Sequence, residues 1–180
     1  MDSRPVYNFS AGPCILPKEV LKKAQEELLD YNGTGVSVME MSHRSKEFSD
    51  IVKKTEKDLR ELLSIPENFK VFFFQGGASM QFTMICKNLM KDNKKANYLV
   101  TGNWSKNALK DAKKLGEPNE VIRPLDAYTG VPDFSEWTVE EDAAYFHFCE
   151  NETVYGVEYL DFPYEELSNQ TLVVDMSSNF

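Results

Sequence analysis

Four polar clusters in this 180-residue chain each follow an apolar run, and each carries a group that could do chemistry. After "VFFF" comes Gln75-Gly76-Gly77-Ala78-Ser79, where paired glycines let backbone approach a ligand. A helix starting there would present N–H groups to a phosphate. After "ANYLV" comes Thr101-Gly102-Asn103-Trp104, which sets an indole where a flat heteroaromatic ring could stack. After "YFHFC" comes Glu150-Asn151-Glu152-Thr153, whose hydroxyl can donate or accept a hydrogen bond. After "LVV" stands Asp175, with Ser177 and Ser178 just beyond.

Each group also has an ordinary explanation: a tight turn at the glycines, a packed indole, turn chemistry at Thr153, and a helix N-cap at Asp175. Together they match the parts of one ligand: a phosphate, a planar ring, a phenolic oxygen and a protonated pyridine nitrogen. Pyridoxal phosphate carries all four, and a carboxylate that keeps its ring nitrogen protonated makes it an electron sink. A nucleotide would also use a phosphate loop, but neither GxGxxG nor GxxxxGK[ST] occurs.

The elements that must position these groups can be read from periodicity. "LPKEVLKKAQEELLDYNGTG" places Val20, Leu21, Ala24 and Leu28 on one helical face, with Pro17 in the opening turn and Asn32-Gly33 as the stop. From Ser45 as N-cap, Phe48, Ile51, Val52, Thr55, Leu59, Leu62 and Leu63 predict a second amphipathic helix, ended by Pro66. Beyond it, "KVFFF", "ANYLV", "EVIRP", "AAYFHFC" and "TLVVD" read as buried strands, and "MQFTMICKNLM" and "KNALKDAKKLG" as helices between them. Alternation of this kind predicts an α/β fold, a mainly parallel sheet with helices on both faces, and a ligand crevice beyond the carboxyl ends of the strands.

Composition narrows the classes. Lys and Arg number 20 against 29 Asp and Glu, a formal charge of -9, so the overall field repels nucleic acid and anionic membrane. An anion site must therefore be built locally. There is no apolar run of membrane-span length and no secretory leader pattern at the start, which predicts a cytoplasmic protein. Cys14, Cys86 and Cys149 lack disulfide or zinc spacing and read as buried packing thiols, so no metal site is expected. Without an export signal, the Asn-x-Ser/Thr triplets at Asn8, Asn32, Asn103, Asn151 and Asn169 are not read as glycosylation sites.

The run "NFSAGPCILPKEVLKKAQEELLDYNGTGVSVMEMSHRSKEF" resembles the start of the phosphoserine aminotransferase family, and the likeness continues through "QGGASMQF", "GNWS", "ENETVYG" and "VVDMSS". The resemblance implies a fold-type I pyridoxal phosphate enzyme, a homodimer with shared active sites. Its reaction would interconvert glutamate and 3-phosphohydroxypyruvate with 2-oxoglutarate and O-phosphoserine in serine biosynthesis. It assigns Gly77, Ala78 and Ser79 to the cofactor phosphate, Trp104 to the ring face, Thr153 to the phenolic oxygen and Asp175 to the ring nitrogen. Ser10, His43 and Arg44 would bind substrate, the last two by gripping a distal phosphate or carboxylate. Arg supplies a planar fork and His a titratable donor for such an anion. Some members carry Arg where Ser79 stands, which here leaves a hydroxyl and backbone donors. His147, inside "YFHFC", reads as a packed, hydrogen-bonded core residue.

The resemblance also implies residues 1–15 as an N-terminal segment and 16–180 as an incomplete large domain. The Schiff-base lysine would lie beyond Phe180 after one more strand, together with the rest of that domain and a smaller C-terminal domain. The chain alone is accordingly expected to be inactive, and "VFFF" to have its sheet neighbours in that later part. Two other readings stand beside this one: a noncatalytic α/β ligand-binding module, and a related fold-type I aminotransferase with another substrate.

Overall fold

A computed structural model describes residues 6–10 and 12–180; residues 1–5 and 11, part of the expected N-terminal segment, lie outside the described residues. The chain divides into two compact units, residues 1–73 and 74–180.

In the first unit, α2 (Lys46–Leu62) occupies the stretch predicted from its spacing, whereas α1 (Lys18–Glu26) ends before the predicted stop at Asn32-Gly33 and leaves Leu28 outside the helix. Ser45 caps α2 by accepting a hydrogen bond from the Phe48 amide at 3.2 Å. Asn32 and Gly33 adopt positive φ past α1, as a turn of this composition should. Neither helix buries a residue, and Val20 and Val52 remain exposed along their apolar sides, as do Leu28 and Leu63 past their ends. The "VFFF" strand is not formed: residues 71–74 are irregular, and Phe72, Phe73 and Phe74 are exposed. An apolar run signals burial, whereas a strand also requires a neighbour in register. Cys14 departs from expectation as well, being exposed in the irregular run before α1, while Cys86 and Cys149 are buried.

The second unit holds α3 (Gly77–Leu89), β1 (Asn97–Tyr98), α4 (Asn103–Ala112), β2 (Asn119–Glu120), β3 (Phe146–Cys149), β4 (Asn151–Glu152), β5 (Val157–Glu158) and β6 (Leu172–Asp175). The four-stranded sheet runs β2-β1-β3-β6, every pairing parallel. Strands β4 and β5 form a separate antiparallel pair after β3. Register is fixed by pairs such as Tyr98 with His147 and Cys149 with Asp175. Because β1 is followed by β2 on one side and flanked by β3 on the other, strand order reverses at β1/β3, where a ligand crevice opens in such sheets.

Helices cover one face of this sheet. Phe82 and Cys86 from α3, Met90 just past its end, and Ala108, Leu109 and Ala112 from α4 pack on Tyr98, Val100 and Tyr145. Over the other face, Trp137, Tyr159, Phe162 and Leu167 come from short irregular segments and pack on Leu99, Phe146 and Phe148. The rings of Phe148 and Phe162 stack 3.8 Å apart at 10°. Aromatic rings supply large contact area without needing a helix to carry them.

Candidate active site at the carboxyl ends of the strands

The glycine pair does what its composition promised. Gly76 precedes α3 with φ 95°, and a Cβ there would sit 2.5 Å from Met80 Sδ and 2.7 Å from Met80 Cβ. Gly77 also has positive φ, 60°. The first turn of α3 has no side-chain cap and no acidic residue. Its amides, including those of Ala78 and Ser79, therefore keep donor capacity at the positive end of the helix.

Ala78 lines a cavity of about 380 Å³ with Gln81, Phe82, Ile85, His147, Val174, Asp175, Met176 and Ser177. The carboxylate expected to meet a pyridinium thus shares a cavity with the start of α3. Asp175 is half-buried at the end of β6. Its Oδ1 accepts from the Ser177 amide at 3.1 Å and the Ser177 hydroxyl at 2.6 Å, a local turn rather than a helix cap. Oδ2 accepts no hydrogen bond among the described residues.

Trp104 opens α4 beyond the end of β1, and its indole Nε1–H donates to Thr153 Oγ1 at 2.9 Å. That bond joins two residues expected to touch different parts of one ring. Because Thr153 Oγ1 accepts from the indole, its own proton is left to donate elsewhere. Strands β1 and β6 flank β3, so the ends leading to Trp104 and Asp175 are about 10 Å apart, two strand spacings. Ser10, His43 and Arg44 belong to the first unit and are all exposed there.

Two features escaped the sequence reading. Glu152 is fully buried, with 0% exposure, and its carboxylate accepts from the Trp104 amide (2.8 Å), the Ser105 amide (2.8 Å) and the Ser105 hydroxyl (2.5 Å). Its only sequence signal was a second acidic residue in the polar cluster three places after the buried strand, directly before Thr153. The second feature is His147. The side chain is packed as expected, stacked on Tyr98 at 4.9 Å and edge-on to Phe82, but Nδ1 is buried with no hydrogen-bond partner among the described residues. A buried orphan nitrogen in a cavity wall is what a polar occupant of that cavity would complete.

Burial pushes the His147 imidazole down to about 4, although the Asp175 carboxylate pulls it upward. Since an unfolded histidine titrates near 6.5, the unfolded chain binds the proton first as pH falls. Folding stability should therefore decline between about pH 6.5 and 4, by on the order of 3 kcal/mol from this residue. Urea titrations at pH 7 and pH 4.5 check this: His147→Gln should lose distinctly less stability across the interval than the unsubstituted protein. Equal losses would refute it. Burial also raises the Cys149 thiol and the Tyr98, Tyr145 and Tyr159 phenols, which keeps these groups neutral and inert.

The aminotransferase class-V family model matches residues 6–180, and the chain belongs to that family. Among proteins of known identity it is similar to phosphoserine aminotransferase of Acinetobacter baylyi, 50% identical over 96% of this chain and 48% of the relative. It is also similar to the chloroplastic phosphoserine aminotransferase 2 of Arabidopsis thaliana, 48% identical over 97% of this chain and 42% of the relative. A pyridoxal phosphate-bound phosphoserine aminotransferase of Trichomonas vaginalis superposes with TM-score 0.87 at 41% identity, over 97% of this chain and 48% of that one. A phosphoserine aminotransferase solved to follow radiation damage of its Schiff base gives TM-score 0.88 at 45% identity over the same shares. The chain spans about half the length of the relatives it matches.

Proposed function

We propose that the complete protein is a phosphoserine aminotransferase that moves an amino group between glutamate and 3-phosphohydroxypyruvate, giving O-phosphoserine and 2-oxoglutarate on the route to serine. The observation that carries this reading is the cavity shared by Ala78 and Asp175, together with the hydrogen-bonded pair Trp104 and Thr153, which does not itself line that cavity, in a chain of the aminotransferase class-V family. Residues 16–180 are then part of the large domain, and pyridoxal phosphate is the cofactor.

The residues fit that group. Amides of Gly77, Ala78 and Ser79 would hold the phosphate, with the Ser79 hydroxyl in support. Trp104 would cover the ring face. Thr153, its oxygen already accepting from the indole, would donate its proton to the phenolic oxygen. Asp175, with Ser177 fixing Oδ1, would hold a proton at the ring nitrogen through Oδ2. When bound, pyridoxal phosphate supplies a carbonyl that takes up an amine and a ring that withdraws electrons from it. His43, Arg44 and Ser10 would bind the anionic ends of the substrate, the first two in a partner's site. The homodimer this requires is supported by the unburied apolar sides of α1 and α2. A cytoplasmic setting is supported by free cysteines and by the absence, among the described residues, of any helix long and apolar enough to cross a membrane.

The test uses the full-length protein, assayed for amino transfer from glutamate to 3-phosphohydroxypyruvate and to unphosphorylated hydroxypyruvate. Cofactor-dependent formation of O-phosphoserine, with strong preference for the phosphorylated acceptor, is expected. The 180-residue chain alone should show none. Cofactor binding without transfer by the full-length protein would favour a noncatalytic module, and transfer without phosphate preference a relative with another substrate.

A further inference from the structure

The unit formed by residues 74–180 contains two helices, α3 after an irregular stretch and α4 after β1, and their N-termini are furnished in opposite ways. The first turn of α3 has neither side-chain cap nor acidic residue. The first turn of α4 is closed by a buried carboxylate from 48 residues further along the chain, with Oε2 on the Trp104 amide and Oε1 on the Ser105 amide and hydroxyl. The same Ser105 hydroxyl oxygen accepts from the Thr101 and Gly102 amides at 3.1 and 3.2 Å, so the whole turn from β1 into α4 hangs on Glu152. Gly102 is part of the device. A Cβ at that position would fall 2.5 Å from Glu152 Oε2, inside the carboxylate.

Burying a carboxylate completely is costly, and charge-assisted bonds from backbone amides at a positive helix end are what offset it. That expense gives the local turn nothing a serine cap would not give. What the long-range carboxylate does provide is a link: Glu152 is adjacent to Thr153, and Trp104 is adjacent to Ser105, so one side chain sets both partners of the Nε1–H···Oγ1 bond. We propose that Glu152 is a positioning residue of the cofactor site, fixing the indole of Trp104 and the hydroxyl of Thr153 at one rim while its charge fills the start of α4 and leaves α3 as the helix start open to the phosphate. This rests on the pyridoxal phosphate reading, but its first consequence is a property of the protein without ligand.

In the unsubstituted full-length protein, free of cofactor, the amides of Trp104 and Ser105 should exchange with solvent deuterium far more slowly than those of Ala78 and Ser79, although all four lie in first helical turns. The indole N–H signal of Trp104 should also shift on Thr153→Val. Pyridoxal phosphate titrations then supply a cycle of Glu152→Gln, Trp104→Phe and the double variant. Glu152→Gln should weaken binding about tenfold to 100-fold, the effect typical of losing an outer positioning partner. In the Trp104→Phe background it should weaken binding much less, because the two act through one contact. Glu152→Asp should recover part of the loss. A purely structural Glu152 would lower the melting temperature and leave the two effects additive, and that result overturns the proposal. Equal exchange at the two helix starts overturns it too, with no variant needed. Failure of the unsubstituted protein to bind pyridoxal phosphate would instead overturn the cofactor reading, while the exchange comparison still decides whether Glu152 closes the start of α4.

Discussion

Asp175→Asn in the full-length protein is expected to fold and to bind pyridoxal phosphate, yet to slow amino transfer by about 10²- to 10⁴-fold. The amide keeps an oxygen for the Ser177 amide and hydroxyl, so the turn at the end of β6 survives. What it loses is the negative charge at Oδ2, the oxygen without a described donor. Removing one partner of a buried charge pair costs about 3–5 kcal/mol, and each 1.36 kcal/mol is tenfold in rate. Single-turnover rates with saturating cofactor measure the effect free of binding. A fall of less than tenfold would mean that the carboxylate does not hold the ring proton, and that the turn with Ser177 is its whole purpose.

The second large effect is expected at Gly76. Its φ of 95° is a conformation that costs a residue with a Cβ about 1–2 kcal/mol, and that Cβ would collide with Met80 at both Sδ and Cβ. Thioether atoms can swing aside, but Met80 Cβ is tied to the α3 backbone, so the first turn must move. Gly76→Ala should lower the melting temperature by about 5–10 °C, as a loss of 2–3 kcal/mol does in a chain of this size. It should also weaken pyridoxal phosphate binding by tenfold or more through the displaced amides. Gly77→Ala is the internal control: φ is 60° there, but no atom lies within 4 Å of the added Cβ. It carries the strain without the collision. If thermal melts and cofactor titrations give both variants the same losses, contact with Met80 is irrelevant and the argument from close packing fails.

Local signals in this sequence were the readable ones. Ser45 before an amphipathic stretch and paired glycines ahead of "MQFTMICKNLM" each announce a helix boundary through backbone chemistry confined to a few residues, whereas Asn32-Gly33 forms a turn well past the end of α1 at Glu26. The parallel sheet was readable because helices alternate with apolar runs. Strand extents were less so: β1 and β2 contain only Asn97–Tyr98 and Asn119–Glu120, while the apolar residues that marked them, such as Leu99 and Ile122, lie at the strand ends and carry the burial instead. Long-range partnerships left no trace in spacing. Glu152 looked like one charge in a polar cluster, since its meaning depends on a helix start 48 residues away. The aromatic cover of the second face was equally hidden, because Trp137, Tyr159 and Phe162 sit in segments without periodicity. Asp175, Trp104 and Thr153 were singled out through position: each follows a buried run, where a polar group has a cost to justify.

Among the described residues β6 is an outermost strand, with β3 as its single neighbour, whereas β1 is hemmed in by β2 and β3. Peripheral strands open at lower free energy than interior ones. Within this 180-residue stretch the acid thus stands on an outer strand, which frays first, and the indole follows an inner one. A ring gripped by both would fasten margin to middle like a clasp, so occupancy should suppress fraying at the outer strand much more than at the inner one.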